Sequence, residues 1–339
     1  AREPNIANAL SGKVAGLQIT RSSNGPAGSS KITLRGNNSL TGDNQPLIVV
    51  DGVPLNNFTG ATNNDYWNPS LDMGNGLADI NAEDIESMSV LKGPASAALY
   101  GSRAGNGAIL ITTKSGKLQK GLGITVSSSF GIESIFTGPE MQNSFGQGAN
   151  GIYAENSNLS WGPKAEGQSV TSWNGQQAPL STYNNVNNYF NEGFNSNQSV
   201  SFQQQYKSTS VYTSFNRLDD KSMIPGTKLT RTNLLARAVS KFGEDDRWVV
   251  DTKVQYSNTN AQNRPIGGSN SGNSFYTLYM LPRSLDITQF SSGVNDQNTM
   301  LWYGGGSQIN PYWGTKYNLN QDIRERFVMS GSLKYNFTS

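Results

Sequence analysis

Few residues in this 339-residue chain could do chemistry, because it contains neither cysteine nor histidine. Their absence excludes thiol catalysis, a Ser-His-Asp triad and metal sites built on those ligands. Two pairs of adjacent carboxylates remain, Asp219-Asp220 and Asp245-Asp246, and either could bind Ca²⁺ or act in hydrolysis. Hydrolysis would want two carboxylates flanking a cleft, which adjacent residues do not suggest. We interpret both pairs as solvated turn charges, and expect no enzyme, no cofactor and no metal site.

Aromatic side chains are the stronger candidates for a binding site. Five of the six tryptophans lie outside the predicted strands, and the sixth, Trp248, lies at a strand start. The loops that carry them are rich in Asn and Gln, whose amides together with flat aromatic faces suit sugars or peptides. The alternative is that these tryptophans pack the loops, or pack against a partner that covers them. The aromatic candidates for ligand binding are Tyr66, Trp67, Trp161, Trp173, Trp302 and Trp313.

The composition indicates the class of protein that carries these residues. Charged residues make up 15% of the chain and hydrophobic residues 35%, both low for a soluble domain, while aromatic residues reach 10%. A polar, uncharged and aromatic-rich chain is typical of a membrane β-barrel, whose strands face lipid on one side and water on the other. The net charge of +2, without a basic stripe, argues against a nucleic-acid partner. No run approaches the ~20 apolar residues that a membrane helix needs.

The chain divides into two zones, which must position the candidate binding residues. Residues 1–117 predict a compact α+β domain with its own core. The predicted helices cover 5–14 and 95–100, and the predicted strands cover 17–20, 31–35, 46–51, 88–91 and 108–113. The apolar run at 47–50 indicates a buried strand, and Asn81 is expected to cap a helical turn.

Residues 118–339 show a different pattern, in which apolar and polar residues alternate with period two. We predict six antiparallel strands here, with long links at about 134–195 and 259–322 and shorter links between them. Short turns on one side and long extracellular loops on the other are typical of outer-membrane barrels. A soluble β-sandwich is the alternative. Six strands cannot close a barrel, and each backbone group left facing lipid would cost several kcal/mol. We therefore expect these strands to be the first part of a larger barrel of about 22 strands.

The first zone also resembles a known family. The resemblance rests on four stretches, namely 10–18 (LSGKVAGLQ), 32–36 (ITLRG), 46–54 (PLIVVDGVP) and 84–114, which contains SVLKGPASAALYGSRAGNGAILITTK. They resemble the plug domain of TonB-dependent outer-membrane receptors, and their form resembles the SusC/RagA group of Bacteroidetes. The resemblance implies a membrane β-barrel with an α+β plug domain, with residues 1–117 as plug and 118–339 as the first part of the barrel.

The resemblance further implies active import of a nutrient, an oligosaccharide or a peptide, across the bacterial outer membrane. It implies two protein partners, a SusD-like surface lipoprotein that acts as a lid and TonB, which would act through a segment upstream of residue 1. It nominates Arg35, Asn56 and Asn57 as ligand contacts at the plug apex, unless Arg35 instead pairs with a carboxylate of the barrel wall. The alternative function is a barrel that does not transport and serves as a docking platform in a larger outer-membrane assembly.

Overall fold

Two β-sheets dominate the fold. The structure, a computed structural model, describes residues 6–21, 25–26, 28–36, 44–56, 71–92, 94–304 and 307–337. In the plug region, residues 6–113, the elements are α1 (Ile6–Ala9), β1 (Leu17–Arg21), β2 (Ser30–Leu34), β3 (Leu47–Val50), β4 (Val53–Leu55), β5 (Ile85–Leu91), α2 (Pro94–Tyr100) and β6 (Ala108–Thr113). Strands β1 and β2 form a hairpin, and the other four form a sheet of order β4-β3-β6-β5. Within this sheet, β3 and β6 pair in parallel, and the other two pairs are antiparallel.

The core of the plug region lies between this sheet and the N-terminal elements. All four residues of β3 are buried, as its unbroken apolar run predicts. Ile6 and Leu10 pack with Ile32, Ile48 and other buried aliphatic side chains. The predicted helix over 5–14 was wrong in extent, because Gly12 takes a positive φ of 74° and the helix ends before it.

Residues beyond the plug region build the wall sheet, a six-stranded antiparallel sheet of order β16-β15-β14-β13-β12-β7. Its strands are β7 (Ile124–Glu133), β12 (Gly193–Tyr206), β13 (Thr209–Lys221), β14 (Lys228–Phe242), β15 (Trp248–Gln262) and β16 (Gln321–Tyr335). The short links 207–208 and 243–247 lie at one end of the sheet. The links 134–192, 222–227 and 263–320 lie at the opposite end. We call these the short-turn end and the long-loop end. The six predicted strands are confirmed, and the sheet is open at both edges.

The two faces of the wall sheet differ in polarity. One register row crosses all six strands with apolar or aromatic side chains on the outer face: Val126, Val200, Phe215, Leu234, Tyr256 and Phe327. At the short-turn end, Phe242 stacks on Trp248 with ring centroids 6.2 Å apart, and Trp248 makes a tilted contact with Tyr335 at 4.7 Å. An apolar outer band with an aromatic edge is the lipid-facing pattern of a barrel. The inner face carries polar and charged residues instead and faces the plug region.

The two long links fold into a compact unit that we call the loop lobe, residues 134–192 and 263–320. It contains β8 (Gly148–Ala149), β9 (Ile152–Tyr153), β10 (Ser169–Thr171), β11 (Gln177–Pro179), α3 (Asn185–Tyr189), α4 (Ser274–Met280) and α5 (Pro311–Lys316). None of these short elements was predicted, since they lack a periodic apolar pattern. Across the described ranges, no helix is both long and apolar enough to cross a membrane.

Candidate functional site

Asp51 fixes the plug region to the wall sheet. It follows β3 in a turn with φ 49°, and its carboxylate accepts hydrogen bonds from the backbone N and the Oγ1 of Thr113, at 2.8 and 2.7 Å. Two wall cations complete the contact, since Lys253 Nζ lies 2.5 Å and Arg237 Nη1 3.2 Å from its oxygens. Burial raises the pKa of Asp51, but the hydrogen bonds from Lys253 and Thr113 outweigh it and hold the pKa below the ordinary 3.8.

A second plug carboxylate, Asp79, binds the wall closer to the long-loop end. It lies in a 3₁₀ turn, Gly76–Asp79, that is capped by the side chain of Asn75. Arg324 Nη2 donates to it at 2.5 Å, and Arg326 Nη1 lies 3.8 Å away. Because Asp79 is buried, these wall arginines provide the charge compensation that its burial requires.

A third contact joins the plug region to β13, closer to the short-turn end. Tyr212 donates its hydroxyl hydrogen to Asp84 at 2.9 Å, and burial raises the pKa of Asp84. Nearby, Gly116 passes so close to β13 that a Cβ would lie 2.4 Å from the carbonyl oxygen of Val211. The chain that leaves the plug region is therefore held against the wall sheet before β7 begins.

The charges in these contacts are the reverse of those considered for Arg35, in which a plug cation would pair with a wall carboxylate. Plug carboxylates bind wall cations, whereas Arg35 is exposed, has φ 59°, and forms no ion pair within the part of the chain that the structure describes. Arg35 directly follows Leu34, the last residue of β2. Ser30, at the other end of that strand, accepts a hydrogen bond through its carbonyl oxygen from the side chain of Asn75. Asn56 is exposed directly after β4. Asn57, Tyr66 and Trp67 lie outside the described residues.

Two of the predicted tryptophans pack inside the loop lobe. Trp173 lies 4.7 Å from the ring of Phe290 and donates its indole N–H to Gln289 at 2.7 Å. Trp302 meets the same phenylalanine edge-on at 4.9 Å. Both are half-buried against the aromatic core of the lobe, whose centre includes Tyr189. This arrangement supports the packing interpretation for both residues.

Trp161 and Trp313 are placed differently from each other. Trp161 is 59% exposed and touches Phe145 with ring centroids 5.8 Å apart, so it offers a free face on the outside of the lobe. Trp313 is half-buried in α5, and its backbone lies against Gly293. The four loop tryptophans therefore belong to one lobe but do not converge on a single cleft.

Polar contacts join the two long links into one body. Asn185 is fully buried, donates to the carbonyl of Leu285 at 2.8 Å and accepts from the N–H of Ile287 at 3.0 Å. Arg283 donates to the carbonyl of Gln142 from the other link. Because residues about 100 positions apart satisfy each other's buried groups, neither link can rearrange alone.

Asn185→Ala tests this coupling. It leaves a buried N–H and a buried carbonyl unpaired, each at a cost of about 1–3 kcal/mol, so we expect the loop lobe to open locally. The measurement is the rate of limited proteolysis within 263–320 in the folded receptor. Asn187→Ala, on the exposed side of the same helix, is the matched control. Equal cleavage rates in the two variants would show that Asn185 does not couple the links.

The two adjacent carboxylate pairs found in the sequence have different surroundings in the structure. Asp245 and Asp246 lie in the exposed turn between β14 and β15, as predicted. Asp219 and Asp220 fall within β13 and point to opposite faces. Asp219 faces outward and pairs with Arg217 at 2.9 Å, whereas Asp220 faces inward with 2% of its surface exposed. The interpretation of Asp220 as a solvated turn charge was wrong, because β13 continues through it to Lys221.

With this geometry established, comparisons with known proteins define the class. Residues 1–108 match the TonB-dependent Receptor Plug Domain family. The SusC TonB-dependent receptor of Bacteroides thetaiotaomicron is 28% identical over 274 residues, covering 78% of this chain and 24% of that protein. The TonB-dependent receptor P26 of Formosa agariphila is 28% identical over 339 residues, covering 97% of this chain and 30% of that protein. The chain therefore spans less than a third of the length of these relatives.

Solved structures agree on the fold. The RagAB peptide transporter superposes with a TM-score of 0.63 at 23% identity, covering 92% of this chain and 35% of that one. The fold is that of the plug domain and adjoining barrel strands of TonB-dependent receptors. Within that class, the chain is similar to SusC and to RagAB, and these matches support a SusC/RagA-family receptor.

Proposed function

We propose that the protein imports a nutrient, an oligosaccharide or a peptide, across the bacterial outer membrane with energy delivered through TonB. In this proposal residues 1–117 form the plug inside the barrel lumen, and residues 118–339 form the first part of the barrel with the loop lobe outside the cell. A SusD-like lipoprotein covers the lobe, and TonB acts through a segment upstream of residue 1. The names of the relatives, which describe receptors and a peptide importer, support a transporter rather than an enzyme.

The observation that carries this proposal is the chemistry of the plug–wall contact. Asp51, Asp79 and Asp84 bind Arg, Lys and Tyr side chains of the inner wall, and the contact is polar. When buried ion pairs separate into water, regained hydration offsets much of the lost attraction. A polar contact of this kind holds the plug region at rest and still lets it move without exposing a large apolar surface. That combination suits a gate.

The two substrate classes in this proposal, oligosaccharide and peptide, rest on less specific features. Trp161 offers an exposed aromatic face, and the loop lobe is rich in Asn and Gln, which suit both sugars and peptides. The family resemblance and the peptide importer among the structural neighbours leave both classes in the proposal.

Uptake by cells that carry the full-length receptor tests the proposal. One arm supplies a fluorescent oligosaccharide mixture and the other a fluorescent tryptic peptide mixture. We expect uptake in one arm and its loss when the segment upstream of residue 1 that contacts TonB is deleted. Full surface display of the deletion variant is the control for assembly. Uptake that survives the deletion would overturn TonB-driven import.

A docking platform is the second candidate, favoured by the rigid coupling of the two long links through Asn185 and Arg283. A platform needs a stiff outer surface and no ligand space in the lumen. Imaging of the complete assembly separates the two candidates, because a solute bound in the lumen supports import and a lumen closed by partners supports the platform.

A further inference from the structure

The outer face of the wall sheet carries an apolar hollow. Two small residues, Thr213 of β13 and Ala236 of β14, lie directly opposite each other within it. The hollow has a volume of about 550 Å³, inside the range of about 300–1,000 Å³ that is typical of small-molecule pockets. Larger side chains complete its lining, among them Phe202, Phe215, Leu234, Tyr256 and Phe327. An alkyl chain fits such a hollow, because in lipid close van der Waals packing decides what binds.

Two lysines lie on the same outer face, between the hollow and the long-loop end. Lys221 and Lys228 are directly opposite each other on β13 and β14, and both are exposed. Neither forms an ion pair with any residue that the structure describes. Asp219, two residues from Lys221 on this face, is bound by Arg217 at 2.9 and 3.1 Å. Like charges opposite each other are destabilising, so an anion between the two lysines would stabilise this end of the sheet.

The height of the lysines above the hollow indicates the kind of lipid. Leu234 is the last apolar outward residue of β14, and Lys228 lies six residues closer to the long-loop end. Six residues span about 20 Å along a strand, or about 15 Å of vertical height when the strand tilts by about 35–45°. The headgroup layer of an ordinary bilayer is only about 5–8 Å deep on each side. A lipid that fills the hollow and reaches the lysines therefore has a tall headgroup.

Hydrogen-bonding residues occupy the face between the hollow and the lysines. Thr232 lies opposite Asn258, and Thr230 lies opposite Asn260. Asn258 donates to Glu325 at 3.0 Å, which leaves its amide oxygen to accept a hydrogen bond. Hydroxyl and amide groups both donate and accept, as sugar hydroxyls require. The tall headgroup that fits this face is therefore made of sugars.

We propose that this face binds a glycolipid of the outer leaflet that carries a phosphate monoester on its sugars. One acyl chain lies in the hollow beside Ala236, the sugars lie along the threonine and asparagine rows, and the phosphate lies between Lys221 and Lys228. A phosphate monoester has a charge of about −1.5 to −2 at neutral pH, which balances two lysines, whereas the diester of a phospholipid has one acidic oxygen fewer. The proposal rests on the outer-membrane location in the proposed function and is independent of import.

Lipid binding by the purified full-length receptor tests the lysine pair. The probe is rough-type lipopolysaccharide with a phosphorylated core, titrated into the receptor in detergent and counted by native mass spectrometry. In Lys221→Gln/Lys228→Gln we expect the binding of one lipid to weaken by about 10- to 30-fold, the effect of two lysines at an anionic lipid surface. Lys120→Gln/Lys241→Gln, which removes the same charge from two exposed lysines near the short-turn end, is the matched control.

Two alanines of β14 test the hollow. Ala236→Phe fills it, so we expect the same bound lipid to be lost. Ala238→Phe places the same ring on the same face, one register row away and outside the lining of the hollow, and should keep the lipid. Both variants leave the face apolar, and the heat-dependent gel mobility of the folded barrel checks that each one assembles.

Each arm has an outcome that contradicts the proposal. Equal binding in the two double-lysine variants would overturn the phosphate site, and equal binding in the two alanine variants would overturn the hollow. Lipopolysaccharide stripped of its phosphates should bind the unmodified receptor as weakly as the intact lipid binds Lys221→Gln/Lys228→Gln. If phosphatidylglycerol binds as tightly as intact lipopolysaccharide, the face takes any anionic lipid and the glycolipid proposal is wrong. Failure of the uptake test with lipid binding intact would count against import alone.

Discussion

Asp51→Asn loosens the plug region from the wall sheet by about 3–5 kcal/mol, the usual cost of removing one partner from a buried ion pair. The variant leaves Lys253, 5% exposed, and Arg237, 10% exposed, facing a neutral amide. Arg237 keeps its contact with Asp251 at 2.7 Å, so the larger loss falls on Lys253. Of the plug–wall contacts, this one joins a plug carboxylate to two wall cations within 3.2 Å, which is why we expect its effect to be large.

A buried thiol can report this opening, because the chain contains no cysteine. Ala108 in β6 is fully buried against Leu47 and Val49 inside the plug region, so Ala108→Cys should react with a polar thiol reagent only when loss of the wall contact lets the plug region itself open. In that background Asp51→Asn should raise the reaction rate by the factor that corresponds to the lost free energy. Glu86→Gln, which removes an exposed ion pair with Lys117 in the same region, is the control and should change the rate little. Similar rates in both variants would contradict the role of Asp51.

The pH dependence of the Asp51 contact follows from the direction of its pKa shift. The folded-state pKa lies below the ordinary 3.8, so the unfolded chain binds the proton more readily. The stabilisation is therefore fully present above 3.8 and is lost as the pH falls through the lower folded-state pKa. In mildly acidic or neutral medium, titration of Asp51 therefore does not weaken this contact.

Much of the fold could be predicted because its signals are local. The apolar run at 47–50 predicts a buried strand, and the alternation of Val211, Thr213 and Phe215 predicts which face of β13 points outward. Elements without periodic signals were missed. The helices of the loop lobe begin after asparagine caps such as Asn273 and Asn310, but the segments are too short for a 3.6-residue pattern to stand out.

The candidate site was less predictable, because it depends on contacts between residues far apart in the sequence. Asp51 and Lys253 are 202 positions apart, and no pattern within either strand shows that they meet. The alternation does place Arg237 and Lys253 on the inner face, and the register places them opposite each other. The signal that could have found the contact is this pair of inward cations, which must be neutralised by something inside the barrel.

Ala236→Arg should destabilise the barrel by about 2–4 kcal/mol if the outer face lies in lipid, the cost of arginine near the bilayer midplane. Ala236 is exposed on the outer face of β14, one register row below Leu234, and opposite Thr213 and Val254. The measurement is the free energy of unfolding of the full-length receptor in lipid bilayers, from reversible denaturant titration.

Thr230→Arg is the matched control, because Thr230 lies on the same face of the same strand but six residues closer to the long-loop end. There it pairs with Asp219, so an arginine would gain a carboxylate neighbour and should cost close to nothing. A soluble sandwich would place water at both positions and tolerate both variants equally. A cost at 236 without one at 230 therefore locates the upper edge of the lipid band between these two residues. It also places Asp220, which lies opposite Leu229, above the lipid band on the side of the loop lobe.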